Sequence, residues 1–315
     1  MNEPMAADTT LHPLDDSSQA PYKKARREQA FYRNLLRSAA YFSIFVTISI
    51  VLVLTVEAGL FFEEVSFSEF LFGTRWAPLF EPRSFGVLPI VWGTTLVSIG
   101  ACFVSVPLGL AVAFYLSEYA SRRTRNIVKP MIEVLAGIPS VVFGYFALIV
   151  ITPALRSFIP STEIFNALSA SIVVGFMTLP MVSSLSDDAF RAVPRALKEA
   201  GYALGATKLE VCYKVILPAA SSGVVASCIL AFSRAIGETM AVTLAAGSTP
   251  KLTLNLLESI QTMTAYIVQV SKGDTPHGTI EFQSLFAVAA VLFLMTLGVN
   301  LLAQWVVRKT KRSYQ

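Results

Sequence analysis

The chain has 315 residues, 54% of them hydrophobic and only 15% charged, with a formal net charge of +4. Soluble domains are closer to a quarter charged, so the deficit points to lipid as part of the solvent, where a spanning helix needs about 20 apolar residues. Cys102, Cys212 and Cys228 lack paired spacing, and His12 and His277 lie far apart, which argues against a disulfide framework and against a metal cluster.

In chain order, residues 1–22 hold Pro, Asp, Ser and Thr without a long apolar run and read as a disordered tail. With the basic cluster that begins at Lys23 they make a cytoplasmic tail over residues 1–37. That late basic cluster does not suit a cleaved signal peptide, so the first span reads as a retained anchor. Six apolar stretches have spanning length: residues 38–60, 85–116, 131–155, 168–185, 219–246 and 285–307. The second and fifth exceed about 20 residues, which implies tilt or extension beyond the hydrocarbon. Pro139 and Pro180 fall inside the third and fourth, where kinks are expected.

The basic residues test this topology. Lys23, Lys24, Arg26, Arg27, Arg33 and Arg37 precede the first span, and Arg122, Arg123, Arg125 and Lys129 separate the second from the third. Arg191, Arg195, Lys198, Lys208 and Lys214 lie between the fourth and fifth, and Arg308, Lys309, Lys311 and Arg312 end the chain. The opposite side has only Arg75, Arg83, Arg156, Lys251 and Lys272. The basic side therefore reads as cytoplasmic, with both termini inside and an even number of spans.

The outer connections have their own character. Residues 61–84 mix Glu63, Glu64, Glu69 and Glu81 with Phe61, Phe62, Phe67, Phe70, Phe72, Trp76 and Phe80. Such aromatic density fits an interfacial segment lying along the outer surface, or a short protein-contacting helix. In the connection 247–283, Leu256, Leu257, Ile260, Met263 and Ile267 follow helical spacing and predict an amphipathic helix.

Two motifs carry function. The cytoplasmic stretch from Pro194 to Pro218 reads as two short helices around a corner at Gly205, with Ala200 and Gly201 small enough to enter a groove on a partner, and with Pro218 opening the next helix. The fifth span carries Ser233-Arg234-Ala-Ile-Gly-Glu238-Thr239. On a continuous helix Arg234 and Glu238 share a face and can pair. Ionised residues in a span cost about 2.5–3.5 kcal/mol each on insertion scales and face a bundle interior or a water-filled path. Two readings stay open, a structural ion pair and a substrate path. In the second, the planar guanidinium of Arg234 matches phosphate oxygens, Glu238 orients it, and Ser233, Thr239 and Thr243 supply hydroxyls.

The stretch with Glu199, Ala200, Gly201, Gly205 and Leu217-Pro218 resembles the EAA loop of ATP-binding-cassette importer permeases, with Gly201 in place of the second Ala and Val215 in place of the Ile. In that family the loop inserts into a cleft on the ATPase subunit. Residues 133–144 and Arg234-Ala-Ile-Gly-Glu-Thr239 are further similar to the phosphate-specific permeases of this class, over about residues 75–307. Trp76-Ala-Pro, the run from Phe85 to Thr95 and Glu238-Thr-Met-Ala-Val242 look like the PstC type rather than its PstA sister. The resemblance implies an all-α membrane protein with the six-helix core of a type I ABC importer permease (MetI-like), in a bacterial inner membrane. It implies a PstA-like sister permease, two PstB-like ATPases and a PstS-like periplasmic phosphate-binding protein as partners, lipid around the spans and no nucleic acid. It also implies no catalysis and no bound cofactor here. No Gly-x-x-x-x-Gly-Lys-Ser/Thr is present, so ATP is used by a partner. Rival readings are a permease for sulfate, molybdate or phosphonate, a channel or secondary transporter, and a scaffold that signals phosphate status.

Overall fold

The computed structural model describes residues 16–273 and 275–312 and divides into two units, one ending at Val53 and the other beginning at Leu54. Helix α1 (Asp16–Glu64) enters helical geometry at Asp16. The disordered tail expected over residues 1–22 is therefore corrected for residues 16–22, and residues 1–15 lie outside the described ones. Leu35, Phe42, Phe45, Ile48 and Leu52 on α1 are all exposed, as a lipid-facing helix requires.

Helix α2 (Phe67–Phe72) and a two-stranded ribbon, β1 (Trp76–Ala77) antiparallel to β2 (Ser84–Phe85) with Trp76 opposite Phe85, form a small cap. The aromatic segment does not simply lie on a surface. Phe61 meets Phe62, Phe70 and Phe85 edge to face at 5.3, 5.4 and 5.3 Å, and Trp76 meets Tyr266 at 4.8 Å. These rings bury one another because edge-to-face pairs stabilise beyond their area, and only Phe67, Phe72 and Phe80 among the phenylalanines named above stay largely exposed.

Helix α3 (Leu88–Phe114) ends in a wider π turn at Tyr115–Tyr119. Helix α4 (Arg122–Gly137) follows, capped by Ser121, whose hydroxyl accepts the Thr124 N–H at 3.1 Å, and it buries no residue. Ile138 and Pro139 are extended, with ψ of 129° and 135°. The span resumes as α5 (Ser140–Phe146), a π turn Ala147–Ile151 and α6 (Thr152–Phe158). The expected third span at 131–155 is thus displaced to residues 140–158. Proline lacks the N–H for a helical bond and pushes its predecessor out of helical geometry, so Pro139 breaks the helix instead of kinking it.

Helix α7 (Ala167–Arg191) retains Pro180 in its interior, and the Asn166 side chain caps it by accepting the Ser169 N–H at 2.7 Å. Next come α8 (Arg195–Ala203), α9 (Lys208–Glu210), a π turn Val211–Ile216 and α10 (Leu217–Ala219). Helix α11 (Ser221–Ile236) then turns 76° away from the 208–219 run. Helices α12 (Met240–Ala245), α13 (Met263–Lys272) and α14 (Ile280–Arg312) complete the fold. Among the described residues, five helices are long and apolar enough to cross a membrane, and six if the bent 208–236 pair counts as one span. The fifth span expected at 219–246 is built as α11 and α12, with a break between Ile236 and Met240.

Small side chains let α3, α7, α11 and α12 approach closely around Val97, Ala101, Val173, Ala235, Ala241 and Val242. The helix expected from Leu256 onward starts only at Met263. Asn255 turns the chain there, accepting the Leu257 N–H on its side-chain oxygen at 3.1 Å. The carbonyls of Leu256 and Glu258 accept the N–H groups of Leu168 and Ala167, which the first turn of α7 leaves without helical partners.

Candidate functional site

The sequence places its two intramembrane charges four residues apart, and the structure puts a helix end between them. Helix α11 stops at Ile236, Gly237 caps it with φ −86° and ψ 0°, and α12 opens after Thr239. Arg234 occupies the last turn of α11, where the negative end of the helix dipole favours a cation. Its side chain is exposed and makes no ion pair or side-chain hydrogen bond among the described residues. The expected Arg234–Glu238 pair is not formed, since the chain leaves the helix before Glu238.

Glu238 has other work. Its Oε1 accepts the Ala241 N–H at 3.3 Å, capping α12, and its backbone carbonyl accepts the Thr264 hydroxyl at 2.7 Å. Ser233 Oγ donates to Asn300 Oδ1 at 3.0 Å, tying α11 to α14, and Thr239 Oγ1 donates to the Gly237 carbonyl at 3.2 Å. Thr243 turns back to the Thr239 carbonyl at 2.7 Å. The break therefore leaves the Arg234 guanidinium without an ion pair among the described residues, while the Glu238 carboxylate is held by the Ala241 N–H. A permanently charged fork without a counter-ion can receive an oxyanion.

The sequence marks the connection behind the break only as an amphipathic helix, not as part of the site. Thr262 caps α13 by accepting the Ala265 N–H at 3.2 Å, and the Met263 N–H donates to Thr94 Oγ1 on α3 at 2.9 Å. Thr264 is thereby fixed under Glu238. A threonine at the start of a helical pattern is the available signal, but its partner is 26 residues away in sequence.

The 195–218 segment is built as two helices around a glycine. Gly205 has φ +80°, and the bonds Gly205 N–H to Tyr202 carbonyl and Ala206 N–H to Gly201 carbonyl make a Schellman end for α8. Thr207 and Glu210 form a reciprocal capping box that starts α9. The Thr207 N–H first, then Lys214, hold the Glu210 carboxyl down at about 2. Glu199 and Ala200 are exposed and available to a partner. Gly201 is not. It is buried with Val211 and Val215 against it, and an added Cβ would lie 3.1 Å from Val211, so its small size serves packing within the segment. Pro218 is exposed and lies near the end of the 208–219 run, and Leu217 is half-buried beside it.

Two ionic features have no counterpart among the sequence motifs, where their cations serve only to set the topology. Asp187 is fully buried on α7 and receives Arg125 at 2.6 Å, Arg191 at 3.3 Å and Lys129 at 3.4 Å, which pins α4 to α7. Lys198 of α8 meets Glu118, in the π turn that ends α3, at 2.6 Å.

Residues 105–312 match the family described as binding-protein-dependent transport system inner membrane component. A probable ABC transporter permease protein of Bacillus subtilis, YqgH, is 32% identical over 281 residues, covering 89% of this chain and 91% of the relative. The phosphate transport system permease protein PstC of Xylella fastidiosa is 31% identical over 308 residues, covering 91% and 92%. Among solved structures, the bacterial alginate ABC transporter superposes with a TM-score of 0.61 at 15% identity, covering 92% of this chain and 99% of the other. The inward-facing methionine transporter MetNI gives 0.58 at 17% identity, covering 74% and 99%. These likenesses establish the fold of an ABC importer permease. The chain belongs to the family of inner membrane components of binding-protein-dependent transport systems.

Proposed function

We propose that this chain is the PstC-type permease subunit of an ATP-driven inorganic phosphate importer and forms half of the path with a PstA-like sister. The observation that carries the reading is Arg234, an exposed guanidinium with no counter-ion among the described residues, held where α11 breaks. Identity of 30–31% to phosphate permeases over nine-tenths of the chain supports phosphate as the cargo. Both termini face the cytoplasm, as the basic residues direct. The exposed Glu199 and Ala200 surface of the 195–218 segment then meets one of two PstB-like ATPases, while a PstS-like protein delivers phosphate to the opposite face. This chain carries no cofactor and catalyses nothing; ATP is hydrolysed by the partner.

In the mechanism, closure of the ATPase pair pushes the 195–218 segment and opens the path outward. Phosphate released by the binding protein reaches Arg234, which offers planar N–H donors and a fixed charge. Conduction requires weak enough binding for release. The Glu238 carboxylate, which caps α12, limits how tightly an anion stays. Ser233 and Thr239 border the same break, with their hydroxyls already committed to Asn300 and Gly237.

The test is uptake of labelled phosphate and labelled sulfate into proteoliposomes of the assembled complex, with and without ATP. ATP-dependent uptake of phosphate over sulfate is expected. Preferred sulfate uptake would assign a different oxyanion, and uptake indifferent to ATP would remove the ATPase from the scheme.

A further inference from the structure

The cytoplasmic segment is attached to the membrane helices in two unlike ways. Its 208–219 run is attached by apolar burial, with Val211, Cys212 and Ile216 packed among Ala113, Phe190 and Val224. Helix α8 buries only Gly201, against Val211 and Val215 of the same segment. What α8 sends directly to α3 is Lys198, whose Nζ donates to Glu118 Oε1 at 2.6 Å, with side chains only 17% and 10% exposed. Ser117 Oγ donates to the same carboxylate oxygen at 2.9 Å. On the far side of Gly205, the Lys208 ammonium sits 4.8 Å from the centre of the Tyr119 ring. Two lysines flanking one glycine corner thus reach the same π turn.

The chemistry of that turn makes the ion pair more than decoration. A carboxylate at a helix C-terminus stands at the unfavourable end of the dipole, so Glu118 there depends on a cation. Exposed pairs contribute little, but in a nearly dry pair the loss of one partner leaves an uncompensated charge. A π turn holds one residue more than the α-helical repeat and marks sites where a helix is adjusted for function.

Resting on the coupling role proposed for the 195–218 segment, we infer that the Lys198–Glu118 pair is the attachment through which movement of α8 is delivered to α3, and that both are positioning residues for ATP-driven transport. The other end of α3 shows where that movement arrives. Thr94 Oγ1 accepts the Met263 N–H at 2.9 Å, and the next residue, Thr264, holds the Glu238 carbonyl at 2.7 Å. A shift of α3 is therefore two hydrogen bonds away from the break that carries Arg234. Apolar packing of the 208–219 run keeps the segment docked without the ion pair, so docking and transmission are separable.

The experiment compares Glu118→Gln, Lys198→Met and the charge swap Glu118→Lys with Lys198→Glu in the full reconstituted transporter. It reads complex yield and phosphate transported per ATP hydrolysed. Each single variant assembles and loses about five-fold in that ratio, within the range by which linking residues modulate coupling, and the swap recovers it. An unchanged ratio in the assembled single variants overturns the inference. So does a swap that restores neither assembly nor the ratio. Glu199→Lys is measured alongside. A normal ratio in Glu199→Lys removes the coupling reading of the whole segment, whereas a lowered ratio there with normal single variants removes the ion pair alone.

Discussion

Asp187 and Arg234 are opposite answers to the problem of a charge in an apolar bundle. Asp187 is fully buried and surrounded by Arg125, Lys129 and Arg191 at 2.6–3.4 Å. Arg234 is exposed at the end of a broken helix and has no counter-ion among the described residues. The first charge is saturated by its own protein, and a saturated charge has nothing left to offer a ligand. The second keeps its donors free, and the fold pays for that with a break at Gly237–Thr239 that separates it from Glu238. The difference suggests how to sort the charges of such helical bundles: by whether the chain supplies the partner.

Asp187→Asn should give the largest loss of stability, on the order of 3 kcal/mol, because it strands cations that are only partly solvated. Thermal unfolding of the purified complex measures this, and uptake per assembled complex should stay normal. A normal melting point would mean that Arg125 and Lys129 reach water without Asp187.

Thr264→Val should have a smaller effect that shows in transport rather than stability. It removes the bond to the Glu238 carbonyl, worth about 1 kcal/mol, and should lower initial uptake rates several-fold, with Thr264→Ser restoring them. An unaffected rate would separate the outer loop from the break. The smallest effect belongs to Glu210. Its folded carboxyl lies near 2, below the ordinary value, so its capping contribution is present above the ordinary carboxylate range and fades as pH falls towards 2. The melting difference between the parent and Glu210→Gln should be flat from neutral pH to about pH 5 and shrink below that. A difference that vanished already at pH 6 would contradict the capping box.

Apolar length alone makes most spans legible in the sequence, since lipid admits few alternatives to a helix. Gly205 is legible as a turn because a positive φ is nearly the signature of glycine. The break at Gly237 is not. Arg234 and Glu238 stand at helical spacing in an apolar run, and only the Thr264 and Ala241 contacts show what holds the chain off the helix. The aromatic segment is ambiguous for a related reason, because composition cannot tell rings that face lipid from rings that pack on each other. Asp187 is silent in the sequence because two of its three partners come from α4, 58 and 62 residues away. Arg191 at the i+4 position is the one local clue.

The most direct test of the account is uptake by Arg234→Gln. Phosphate accumulation per assembled complex is measured in proteoliposomes beside Asp187→Asn. Arg234→Gln should assemble and melt normally yet lose uptake by about 100-fold, the scale of a lost charge-assisted contact. Normal uptake would take Arg234 out of the path, and failure to assemble would make it a structural charge like Asp187.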